Sequence, residues 1–124
     1  MDTKELVKKY LEGNYYNNGR NKKIDSILEY VVRKLNLKDA LTMRNCMIDK
    51  NFKAVMNDTD MVKCIEEFFK YDLNVAETSR NSYLHRNTLL YRIDKIKNLT
   101  GLNLKCFEDA VTFRMLMFLY WYTS

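Results

Sequence analysis

Arg86 and Asn87 are adjacent, and Tyr91 follows about one helical turn later. On one helix these three side chains suit the edges of base pairs. Arginine can donate two hydrogen bonds to guanine and asparagine can pair in two-point fashion with adenine, while a tyrosine ring can meet a thymine methyl group. His85, Thr88, Arg92 and Lys95 lie among them, and their polar groups suit phosphate oxygens, contacts that fix register without reading sequence. The pattern therefore predicts base contact by Arg86, Asn87 and Tyr91, and phosphate contact by His85, Thr88, Arg92 and Lys95. A solvated basic helix face uses the same residues, and spacing alone does not separate the two readings.

Such residues need a helix to carry them and a second to hold it. From His85 the apolar positions are Leu89, Ile93, Ile96 and Leu99. These gaps of three and four make one stripe of an α-helix over about 85–99. Gly101 suits the left-handed position that stops a helix. Upstream, Asn74 can cap a shorter helix with Glu77 as its reciprocal partner, and Val75, Ala76 and Ser79 form a small inward face. Ser82, Tyr83 and Leu84 are too few for another element and form the turn. Two helices joined by so short a turn, the second presenting Arg, Asn and Tyr near its start, make a helix-turn-helix suited to the major groove.

The run Tyr83-Leu84-His85-Arg86-Asn87-Thr88-Leu89-Leu90-Tyr91-Arg92-Ile93 resembles the core of the C-terminal helix-turn-helix domain of PucR/CdaR-type bacterial transcription regulators. Met61 to Asn74 resembles that family's lead-in helix, and Leu99-Thr100-Gly101-Leu102-Asn103-Leu104 resembles its exit. The resemblance covers about 61–119. A looser similarity to Fis-type domains covers the same two helices. Ser79 stands where the family usually has Ala, and Ser82 where it has Leu. Cys106-Phe107-Glu108-Asp109 replaces an Asp-Pro-Glu-Asp helix start, keeping two acids near the positive helix end. The resemblance implies binding of double-stranded DNA and transcription regulation. It transfers no effector, because the sensory domains such regulators carry upstream are not recognisable in this sequence.

Other chemistry is sparse. Cys46, Cys64 and Cys106 with the single His85 give no metal-ligand spacing, so buried free thiols are expected and no metal or cofactor. His85 is expected to cap a helix or touch phosphate, because no Ser, Cys, acid or second His stands at a catalytic spacing with it. The acid pairs Asp58/Asp60, Glu66/Glu67 and Glu108/Asp109 fit helix starts and wet faces. With three glycines in all there is no Gly-rich phosphate loop. An enzyme is not expected.

The chain has 124 residues, is 47% hydrophobic and carries a formal charge of +5. That allows a packed core and permits, without requiring, nucleic-acid binding. Its longest apolar run, Met115 to Tyr122, spans eight residues, far short of the roughly 20 a membrane span needs. The start lacks a basic and apolar leader, so a cytoplasmic location and no membrane are expected.

In order, Asp2 or Thr3 can cap a helix bearing Leu6, Val7, Tyr10 and Leu11, ended by Gly13. The Asn- and Gly-rich 13–23 stretch reads as a basic loop. Ile24, Ile27, Leu28, Val31, Val32 and Leu35 form a helical stripe. Asn36 interrupts it before a helix over 37–49 with Ala40, Leu41, Cys46, Met47 and Ile48 apolar. A short helix follows with Phe52, Val55 and Met56. The caps at 57–60 suggest a domain boundary. Met61, Cys64, Ile65, Phe68 and Phe69 mark the lead-in helix, and a last helix runs from about Phe107 to Tyr122, apolar nearly all round after Arg114 and so buried on more than one side.

These observations predict an all-α fold. A small helical N-terminal region of unassigned role over 1–57 precedes a helix-turn-helix domain over 58–124. The expected function is sequence-specific double-stranded DNA binding as a bacterial transcription regulator. A protein-interaction module that kept the fold without the DNA role, and a low-specificity nucleoid-type binder, are the rival readings. A short recognition helix reads few base pairs, and the last helix has more apolar surface than one core covers. A homodimer with Phe118, Trp121 and Tyr122 near its interface is therefore expected, with no small-molecule effector site recognisable.

Overall fold

The structure is a computed structural model and describes residues 22–124. The helix expected from Asp2 or Thr3 to Gly13, and most of the basic loop after it, lie outside the described residues. Among these residues the fold is all-α: α1 Lys22–Lys34, α2 Leu37–Met47, α3 Lys50–Met56, α4 Thr59–Lys70, α5 Val75–Ser82, α6 Arg86–Thr100 and α7 Phe107–Tyr122. None of these helices is long and apolar enough to cross a membrane.

The chain packs as two compact units, residues 48–113 and, among those described, 22–47 with 114–124. The sequence placed a boundary at Asn57; packing divides the chain at Met47–Ile48 and within α7.

The 48–113 unit is built from locally encoded helix starts. Asp49, Asp58 and Asn74 cap α3, α4 and α5, each side chain accepting the N–H three residues on, from Phe52, Met61 and Glu77. These bonds satisfy amides that have no partner inside the helix. Asp49 thereby starts α3, and α2 stops at Met47 instead of reaching residue 49. The reciprocal half expected of Asn74 and Glu77 is replaced, because the Asn74 N–H donates to the Tyr71 carbonyl at 3.0 Å. The turn between α4 and α5 holds Asp72 and Leu73 both at positive φ, 57° and 62°. The Leu73 N–H donates to the Phe68 carbonyl at 3.0 Å and closes the end of α4.

The core of this unit gathers Phe52 and Val55 of α3, Met61, Cys64, Ile65 and Phe68 of α4, Leu89, Ile93 and Ile96 of α6, and Leu104 and Phe113. The Phe52 and Phe113 rings pack 4.9 Å apart at a tilt. On α5 the buried residue is Thr78, while Ala76 is exposed, which corrects the expected inward face. The Thr78 hydroxyl donates to the Asn74 carbonyl at 2.7 Å, so it can be buried satisfied while its methyl group packs.

In the other unit α1 and α2 pack with the second half of α7. Arg114 makes a paired hydrogen bond to Asp25. Arg44 donates to Thr123 Oγ1 at 2.8 Å and lies over the Tyr120 ring. Here the sequence stripes are displaced. Val32, Ser26 and Ala40 are buried, whereas Ile24, Ile27, Val31, Leu41 and Met47 remain exposed. Burial of the thiols likewise holds for Cys64 alone; Cys46 and Cys106 are exposed, and all three are free.

Candidate nucleic-acid interface

α6 begins where His85, extended at φ −61° and ψ 137°, turns its ring back on the helix. His85 Nδ1 accepts the Asn87 N–H at 3.1 Å. The capping expected of this residue is thus present. At the other end Gly101, at φ 79°, donates its N–H to the Lys97 carbonyl at 2.8 Å. A side chain at that φ is disfavoured, which is why glycine stops the helix cleanly.

Between these caps the stripe Leu89, Ile93 and Ile96 is buried. At about 100° per residue, Asn87 and Tyr91 fall opposite the stripe, and Arg86 and Arg92 on its two shoulders. Arg86, Asn87 and Lys95 are exposed, and Tyr91 is 65% exposed. Thr88 is half-buried beside them. His85, Arg86, Asn87, Tyr91 and Lys95 are thus all open to solvent, with Arg86 and Lys95 about 180° apart around the helix. Asp94 is exposed as well. Its negative charge partly offsets that of the neighbouring Lys95.

Arg92 is placed differently. It is half-buried and lines a cleft with Asp60, Lys63, Cys64 and Glu67 of α4 and with Ser82 and Leu84. Burial pushes the Cys64 thiol above its ordinary value, and the adjacent, hydrogen-bonded Arg92 guanidinium opposes that rise. Ser82 stands at the edge of this cleft, and its hydroxyl finds a partner within its own helix by donating to the Thr78 carbonyl.

Tyr83, expected in the turn, has no ligand contact predicted from the sequence. It occupies the turn at φ 55° and ψ 25°, and Arg80 and Asn81 beside it are exposed. A bulky residue where a left-handed turn would suit glycine was the signal available in advance.

Residues 61–117 match the PucR C-terminal helix-turn-helix domain. This segment is a helix-turn-helix domain of the PucR type. The chain is 36% identical over 69 residues to the uncharacterized protein YsfB of Bacillus subtilis, which is 56% of this chain and 19% of that protein. It is 34% identical over 59 residues to the carbohydrate diacid regulator of Escherichia coli, covering 48% of this chain and 15% of the regulator. It is 25% identical over 85 residues to the purine catabolism regulatory protein of Bacillus subtilis, covering 68% of this chain and 16% of that protein. The chain thus spans less than a fifth of the length of these relatives. No solved structure matches it.

The residues expected near a dimer interface lie in the other unit. Phe118 and Trp121 rings meet edge-on at 5.8 Å, and Arg114 lies over the Phe118 ring at 5.0 Å. Tyr122 donates its hydroxyl to the Leu35 carbonyl at 3.3 Å. Trp121 is 43% exposed. The three line a groove with Glu29, Val32 and Arg33 of α1.

Proposed function

We propose that this chain binds double-stranded DNA with sequence preference and regulates transcription. The observation that carries the reading is the first two turns of α6. There Arg86, Asn87 and Tyr91 stand in solvent, the helix is capped and pinned by its buried stripe, and the segment is of the PucR helix-turn-helix type. Arg86, Asn87 and Tyr91 read base edges. His85, Thr88 and Lys95 hold phosphates, with Arg92 reaching a phosphate from the rim of its cleft. The relatives named as regulators of carbohydrate diacids and of purine catabolism support a regulatory role and supply no effector for this chain. Regulation takes place in the cytoplasm, and the active species is a homodimer joined near Phe118, Trp121 and Tyr122, so that two α6 helices address half-sites roughly 34 Å apart.

The test is selection of duplexes from a random-sequence pool with the purified chain, followed by titration of the recovered duplex. Arg86→Ala and Asn87→Ala are each expected to cost about 1–3 kcal/mol and to relax preference at one position. Lys95→Ala is expected to weaken all duplexes alike and to flatten the salt dependence. A pool that yields no enriched motif, with all duplexes bound equally, would favour the low-specificity binder. No binding to any duplex would favour the protein-interaction module.

A further inference from the structure

The turn ahead of α6 carries a side chain that folding does not use. Tyr83 is left-handed, at φ 55° and ψ 25°, a conformation glycine adopts freely and an aromatic residue seldom does. The left-handed turn is held from both sides without the ring. The Ser79 hydroxyl donates across it to the Leu84 carbonyl, Thr78 is buried ahead of it, and the His85 cap follows. The Tyr83 side chain itself is 97% exposed. The position is thus occupied by a residue that strains the backbone and returns no burial.

Its surroundings indicate what the ring can meet. No acid occurs between Glu77 and Asp94, a stretch that contains Arg80, Arg86 and Arg92. Arg80 and Asn81 are exposed just before Tyr83, and His85, Arg86 and Asn87 just after it. Ser82 and Leu84 on either side of it line the cleft that also holds Asp60 and Glu67, so the exposed Arg80 and Arg86 are the nearby cations. A hydroxyl on an apolar ring between them, next to the helix start proposed to read bases, suits a sugar–phosphate strand at the groove's edge. A tyrosine hydroxyl can donate to a phosphate oxygen, and its ring can lie against the deoxyribose. We infer that Tyr83 is a backbone-contacting residue that seats the start of α6 in the groove. This inference rests on the DNA-binding reading above. The strained turn then has a functional return, since it carries the phenol outward where a residue of ordinary φ would direct it elsewhere.

The experiment compares the full chain with Tyr83→Phe, Tyr83→Gly and Arg86→Ala on a duplex recovered from a random-sequence pool by the unsubstituted protein. Loss of a hydrogen bond to a charged oxygen is expected to raise Kd about tenfold in Tyr83→Phe. Tyr83→Gly is expected to raise it further while the melting temperature stays level or rises, because glycine suits the left-handed turn. The tyrosine releases no counterion, so the salt slope of both variants stays that of the unsubstituted chain. Binding within twofold of the unsubstituted chain by both Tyr83 variants, with Arg86→Ala impaired, overturns the inference and leaves the DNA-binding reading standing. Failure of the unsubstituted chain to retain any duplex overturns both.

Discussion

Arg114 grips Asp25 through two hydrogen bonds, Nε to Oδ1 at 2.9 Å and Nη2 to Oδ2 at 2.8 Å. The side chains are 12% and 25% exposed, so water screens the pair less than a surface ion pair. The same guanidinium lies over the Phe118 ring. Asp25→Ala or Arg114→Met is expected to lower unfolding free energy by about 1–3 kcal/mol, with the double variant losing less than the sum. Urea unfolding of the four proteins checks this. Strict additivity of the two losses would show the two side chains to be energetically independent.

Ser82 occupies a place where the PucR-type pattern has Leu. It is half-buried at a cleft lined also by Asp60, Lys63, Cys64, Glu67, Leu84 and Arg92. Leu84 and Cys64 are apolar, and the long side chains of Lys63 and Arg92 have apolar stems even though their ends are charged. Ser82→Leu is expected to add apolar burial and to stabilise the domain by about 1 kcal/mol, within a ceiling of about 2. Thermal unfolding gives the sign. A lowered melting temperature would mean that the cleft cannot take the added volume without strain.

Much of the motif was legible because its determinants are local. The Leu89–Ile93–Ile96 stripe, the Asn74 cap and the Gly101 stop each depend on residues within a turn or two, and the structure has all three. The α1 stripe was misjudged for the opposite reason. It is wide, and which edge turns inward depends on a partner 89 residues away, Arg114 holding Asp25. That bond accompanies burial of Ser26 and Val32 and leaves Ile24, Ile27 and Val31 outside. On α5 a rule that small apolar residues go inward selected Ala76. The buried Thr78 depends on a side-chain bond to the backbone of its own helix, which residue type alone does not reveal. Arg92 was read as an outward cation because helical angle alone carries no information about Cys64 beside it.

Cys64 provides a pH signature. Burial raises its pKa above the unfolded value of 9.0, against the opposing effect of Arg92. A raised folded-state pKa means that the native chain holds this proton more tightly than the unfolded chain. The stabilisation is fully present below pH 9.0 and is lost as pH rises through the higher folded-state value. Tyrosines and lysines titrate in the same alkaline range, so the informative quantity is the difference between the unsubstituted chain and Cys64→Ala. That difference in melting temperature is expected to narrow on the alkaline side of 9.0. Parallel curves would show that ionisation of this thiol is not suppressed by folding.

Assembly can be tested on the second half of α7. Leu116, Met117 and Leu119 are buried, so part of its apolar circumference is already covered within the chain. Phe118 packs against Trp121, and Tyr122 gives its hydroxyl to Leu35. Trp121 still presents a large ring to solvent at 43% exposure, and Ile24, Ile27 and Val31 of α1 are exposed as well. Apolar surface of this kind in one unit favours association, and a two-fold pair would give the α6 helices, proposed to read DNA, two half-sites. The proposed homodimer predicts a sedimenting mass of about twice the 14.9 kDa chain at micromolar concentration. Trp121→Glu places a charge in the interface and is expected to return it to one chain mass. It should weaken duplex binding as well, while a single half-site remains bound through α6. A mass near 14.9 kDa that neither concentration nor Trp121→Glu alters would reject the dimer.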